Sequence, residues 1–202
     1  MAAILQSLQR TIVAGIVLLL AIFIIVGALR GFPAFDHGWG AFVMRYLHVL
    51  SGVMWIGLLW YFNFVQIPNM PKIPDEQKPA IGKVIAPAAL FWFRWGAAAT
   101  VVPGLLLALM NGYFVNALTL GIVQSGVTGQ TVIGIGMWLG LIMAFNVWFV
   151  IWPNQQRALG MVDATPEVKA KSARTAMLFS RTNTMLSVPM LFCMVAAQNA
   201  GL

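Results

Sequence analysis

Residues 11–29 read TIVAGIVLLLAIFIIVGAL, an apolar run without a single charge. As a helix rising about 1.5 Å per residue, such a run matches a hydrocarbon core about 30 Å thick. Hydrocarbon offers no partner to a backbone N–H or C=O, so a segment that enters it must satisfy those groups internally, as a helix does. The run exceeds the roughly 7–15 apolar residues of a signal peptide and no small-x-small cleavage site follows closely, so it is read as a retained crossing. Four further stretches, at 44–67, 85–110, 130–152 and 176–197, have comparable length and character. The composition agrees: 60% of residues are hydrophobic and 8% charged, against about 25% charged in soluble domains. The expectation is an all-α integral membrane bundle of five transmembrane helices, forming a single domain over residues 1–202.

Lys and Arg assign the sides, because short cytoplasmic loops collect them. Arg10, then Lys72, Lys78 and Lys83, then Arg157, Lys169, Lys171 and Arg174 fall on one side of the five-helix pattern. Arg30 and Arg45 fall on the other, while Arg94 and Arg181 fall inside spans three and five. The N-terminus is therefore expected inside and the C-terminus outside, in a multi-pass membrane protein. The net charge of +7 fits topology and contact with anionic lipid; no basic run with interleaved aromatics points to nucleic acid. The proline-rich segment IPNMPKIPDEQKP is expected to be a solvated turn. The uncharged stretch 111–129 either lies in the outer interface or re-enters the membrane.

At about 1.5 Å per residue, Asn63, Arg94, Asn146 and Arg181 come to comparable depth near the inner side, with Asn183, Gln66 and Gln155 bordering them. A cation inside a bilayer costs at least about 2.5 kcal/mol and normally faces the bundle interior, pairs, or snorkels. Every carboxylate, Asp36, Asp75, Glu76, Asp163 and Glu167, is placed in a loop, so Arg94 and Arg181 have no acid to pair with. Two readings follow. Arg94, Arg181, Asn63, Asn146 and Asn183 line an inward-facing anion site, or the arginines reach lipid phosphates and the asparagines join helices.

Two histidines are present. His37 lies beside Asp36 in the first loop and reads as interfacial. His48, with Gly52 and Trp55 at helical spacing on one face, is a candidate ligand of haem b, because glycine lets a flat group approach. Met190, Met194 and Met44 are the candidates for a second axial position; the alternative is an interhelical hydrogen bond from His48. Small residues at Gly96, Thr100 and Gly104, and at Gly136 and Gly140, favour close helix packing. A lone cysteine, Cys193, and the absence of CxxC or CxxCH exclude an intramolecular disulfide, a cysteine-rich metal site and covalently attached c-type haem.

The segments RYLHVLSGVMWIGLLWYFNFV, LFWFRWGAAATVVPGLLL, LGLIMAFNVWFVIWPNQQR and SRTNTMLSVPMLFCMVAAQN resemble, in that order, the membrane part of the bacterial urate hydroxylase family, the urate oxidase N-terminal domain. The resemblance covers roughly residues 40–200 and implies a membrane-embedded redox role, linked in the full-length family to a C-terminal cytochrome c domain outside the membrane. His48 matches a histidine of the family pattern. The family's histidine before the FWFRW segment and the one between Arg181 and Asn183 are missing, the latter position being Thr182, and no CxxCH follows. The chain thus reads as a short, divergent member. The expected function is a non-catalytic or accessory subunit of a larger respiratory or photosynthetic membrane complex. The first alternative is a haem b-binding electron-transfer or urate-type oxidoreductase module, and the second a small anion carrier.

Overall fold

The computed structural model describes residues 2–122 and 128–199, and every regular element among them is helical. The chain divides into two compact units, one ending at Gly40 and one beginning at Ala41.

In the first unit a short turn, Ala2–Leu5, precedes α1 (Leu8–Arg30). Gly31 ends α1 at φ 91°, its N–H bonded to the Gly27 carbonyl; only a residue without Cβ takes that conformation cheaply. The Phe32 ring fills the space over Gly27. Phe23, Phe32, Phe35 and Trp39 make edge and tilted ring contacts with centroids 5.4–5.8 Å apart. The Asp36 carboxylate accepts the Trp39 N–H at 3.0 Å and caps the next helix.

That helix, α2, runs His37–Lys72, followed by α3 (Lys78–Met110), the short α4 (Phe114–Leu118), α5 (Gly129–Ala158) and α6 (Pro166–Asn199). The helices overrun the expected spans, so several residues assigned to loops are helical. His37 opens α2 and Arg45 lies within it, Lys83 lies in α3, and Glu167 lies in the first turn of α6. Stretch 111–129 folds back as α4: the Trp138 indole donates to the Leu118 carbonyl at 2.9 Å and Gly134 packs on the Ala117 carbonyl. Its residues 123–127 lie outside the described residues.

Four helices, α1, α2, α3 and α5, are long and apolar enough to cross a membrane. The fifth expected span, α6, is longer than most of these but carries more polar residues. Four of them, Ser172, Ser180, Asn183 and Ser187, are buried, while Lys171, Arg174, Arg181 and Thr182 are exposed alongside Met185, Val188, Phe192 and Val195. Averaged hydropathy is lowered both by the polar groups turned towards neighbouring helices and by the charges on the exposed side.

In the second unit α2, α3, α5 and α6 form a closed ring of antiparallel neighbours. Along α2, His48, Gly52, Trp55 and Phe62 meet Gly104, Thr100, Gly96 and Phe93 of α3 in reverse order. Trp95 of α3 meets Trp148 of α5, with ring centroids 5.3 Å apart. Gly136 and Asn146 of α5 meet Cys193 and Asn183 of α6. Ser187 and Ser180 of α6 return to Trp60 and Asn63 of α2. Trp55, Leu59, Phe93, Met143, Val147 and Ile151 fill the centre. The small residues expected to admit close packing do so at Gly96, Thr100, Gly104 and Gly136, whereas Gly140 has nothing within 4 Å.

Three helical stretches are π rather than α: Tyr61–Gln66, Ile81–Ile85 and Asn146–Ile151. Each ends two residues before a proline, Pro68, Pro87 and Pro153. Proline has no N–H and its ring crowds the carbonyl four residues back; widening that turn relieves the clash. Asn69 and Asn154, each following its proline, donate to the carbonyls of Val65 and Val150 at 2.7 and 2.8 Å. Pro103 and Pro189 sit inside α3 and α6 without such a turn.

Candidate functional site

The end of the bundle that carries Lys72, Lys83, Arg157, Lys169 and Lys171, here the basic end, holds most of the polar side chains noted in the sequence. The π turn of α2 presents Asn63 and Gln66, and the π turn of α5 begins at Asn146.

Asn146 and Asn183 are closed on each other. The Asn146 Nδ2 donates to Asn183 Oδ1 at 2.8 Å, and Asn183 Nδ2 donates to the Met143 carbonyl at 2.9 Å. Asn183 is completely buried and Asn146 nearly so. The arrangement joins α5 to α6 where the hydrogen-bond register of α5 changes. Asn63 joins α2 to α6, its Nδ2 donating to the Leu59 carbonyl at 2.9 Å and to Ser180 Oγ at 2.7 Å. A carbonyl only accepts, so the first bond fixes which end of the amide is nitrogen. Asn63 Oδ1 is left buried without a hydrogen-bond partner, as is Gln66 Oε1.

Arg94 lies between α3 and α5. Its guanidinium stands 3.7 Å from the Trp152 ring centroid and 5.3 Å from that of Trp148, with Nη1 buried and without a hydrogen-bond partner. Cation–π contacts contribute about 0.5–2 kcal/mol. Insertion of the cation costs at least about 2.5 kcal/mol, and the two indoles offset a part of that. Reading by depth and polarity passes over these tryptophans. Their signal is there all the same, since Trp148 and Trp152 four apart form a shelf on one helix face. Arg181 is on the exposed side of α6, turned away from its near neighbour Asn183. The five expected anion-site residues therefore do not converge: Arg94 stacks, Arg181 faces out, and the asparagines bind helix to helix.

Below this level, towards the basic end, the four helices enclose a cleft of about 150 Å³ lined by Gln66, Leu90, Gln155, Ala176 and Ser180 among others.

His48, towards the opposite end, is half-buried. Its Nδ1 donates to the Thr100 carbonyl at 2.7 Å, and its Nδ1–Cε1 edge covers Gly104, where a Cβ would come within 2.6 Å of Nδ1. Fixing Nδ1 this way leaves Nε2 with its lone pair, the tautomer that binds metal. Met190 and Met194 pack instead around Gly136 on the α5–α6 seam. No group of three or more His, Cys, Asp or Glu able to hold a metal ion occurs among the described residues.

Comparison with curated proteins and with solved structures yields no match for the chain. Residues 118–200, from the end of α4 through α5 and α6, match the family model described as urate oxidase N-terminal, the family that the sequence segments resemble.

Proposed function

We propose that the chain is an accessory integral membrane subunit, with five crossings and its basic end on the cytoplasmic side, that packs within a larger redox complex of a bacterial inner membrane. The observation that carries this reading is the closed bundle centre. Asn146 and Asn183, the buried amides of the matched family region, spend their bonds on each other and on Met143. α6 is taken as the fifth crossing because Ser180, Asn183 and Ser187 are turned inward while Met185, Val188, Phe192 and Val195 face out. α1, apolar all round, is suited to neighbours apolar on every side, whether lipid or protein. The test is extraction in mild detergent followed by native electrophoresis, together with deletion of the gene. Comigration at fixed stoichiometry with a redox complex whose assembly fails in the deletion strain is the expected result. A chain that migrates alone, with every such complex intact in its absence, refutes the reading.

One observation favours a second reading, a haem b-binding module of the urate hydroxylase type. His48, with Nδ1 held by Thr100, is prepared as one axial ligand. The second axial position would be taken by Met44, Met190 or Met194, or by a ligand from a partner. A bound haem would supply one-electron transfer, and His48 would orient it. A Soret band lost in His48→Ala supports this module, and a colourless preparation with its partners retained removes it.

A further inference from the structure

We propose that the cleft at the basic end is an aqueous vestibule whose water reaches Arg94, keeping a cation within the membrane-spanning part of α3 hydrated from one side. The cleft is walled by all four helices of the ring and has room for several waters. A wholly apolar cavity stays dry; the lining of this one is largely apolar but carries Gln66, Gln155 and Ser180. Gln66 Oε1 and Asn63 Oδ1 are buried acceptors with no protein donor. Ser180 Oγ accepts from Asn63 and retains its own O–H for donation.

Arg94 stands one helical turn beyond Leu90, a lining residue, on the same face of α3. Its stacking partner Trp152 lies one turn from Gln155, another lining residue. Arg94 does not itself line the cleft, but this spacing sets its unpartnered Nη1 beside the inner end, and Leu59 and Met143, both 0% exposed, belong to the apolar packing of the bundle centre. Apart from the Trp55 indole N–H, the unpartnered groups among the described residues are two carbonyl acceptors and one cationic donor. An anion would meet the carbonyl oxygens, and a metal cation would meet Arg94. Water, donor and acceptor at once, satisfies all three.

The test is side-specific cysteine labelling in sealed membrane vesicles of both orientations. On a Cys193→Ala background, Ser180→Cys, Ala176→Cys, Leu59→Cys and Lys171→Cys are treated with cationic and anionic methanethiosulfonates. Ser180→Cys and Ala176→Cys are expected to react with both reagents, only from the side on which Lys171→Cys reacts, while Leu59→Cys stays inert. If both cleft positions are as inert as Leu59→Cys in chains that elute and melt like the background, the cleft is dry and the proposal falls. Labelling by the anionic reagent alone would mark an anion site, and labelling from the opposite side would mark a different route. Either result overturns the vestibule.

Discussion

Replacing Asn183 by alanine removes two bonds at once: the acceptor of the Asn146 amide at 2.8 Å and the donor to the Met143 carbonyl at 2.9 Å. Interhelical hydrogen bonds in membranes average about 0.6 kcal/mol and reach about 1.7. The groups left behind matter more, since a buried polar group without a partner costs about 1–3 kcal/mol. Asn183 is 0% exposed, so solvent at the wild-type geometry cannot take its place. The expected loss is about 2–4 kcal/mol, an unfolding equilibrium shifted by more than an order of magnitude. The assay is a double-mutant cycle of Asn146→Ala and Asn183→Ala by reversible unfolding in micelles. Once one amide is gone the other has less to lose, so the double variant is expected to fall short of additivity by about 1 kcal/mol. A single Asn183→Ala cost below about 0.5 kcal/mol, or strictly additive effects, would refute the closed pair.

Gly104→Ala places a methyl 2.6 Å from His48 Nδ1; an overpacking loss of about 1–3 kcal/mol is expected. Most of it should return in the Gly104→Ala, His48→Ala double variant, and a silent Gly104→Ala in thermal melts would contradict the ring position. Arg94→Lys keeps the charge but loses the planar face stacked on Trp152. A destabilisation of about 0.5–2 kcal/mol with altered tryptophan emission is expected, and unchanged emission would count against the stack. The Lys78 ammonium, 2.6 Å from the carboxylate, lowers the Asp75 pKa through a hydrogen bond and charge attraction. Its contribution is present above the ordinary carboxylate range and disappears as pH falls through the lowered value. Carbon NMR of Asp75 should therefore show a titration below the ordinary carboxylate range that moves up in Lys78→Ala, and a titration unaffected by Lys78→Ala would contradict the pair.

Long helices in the expected order were readable from the lengths of mostly apolar runs, because bilayer thickness sets a minimum that few soluble helices need; four of them are long and apolar enough to cross a membrane. Ends were less readable. His37 and Arg45 look like loop residues by polarity, yet the Asp36 cap starts α2 ahead of both. Depth along each helix identified Asn63, Arg94, Asn146 and Asn183 as polar groups at one level, but depth says nothing of azimuth. Arg181 and Asn183, two residues apart, therefore looked like companions and point to different sides. For His48 the interhelical hydrogen bond is now on view, although the sequence alone could not name Thr100 as the acceptor, fifty-two residues away. The stacking of Arg94 was hidden for a related reason: it needs two tryptophans from another helix, and only their spacing within that helix was visible.

Pro68 and Pro153 are not among the residues that line the cleft, yet they decide which side chains do. Each widened turn ahead of them takes up one residue more than the regular repeat, turning everything beyond it by about 100° around the helix axis. Gln155 lies beyond the α5 turn and takes its azimuth after that offset, whereas Gln66 is the last residue of the α2 turn itself. If Pro153 were replaced and the ladder relaxed to uniform winding, Gln155 would swing off the bundle axis without any change in its own identity. Helical wheels drawn straight through α2 or α5 consequently assign the two halves of each helix to the wrong common face, and comparisons among related chains should be phased separately on either side of the proline.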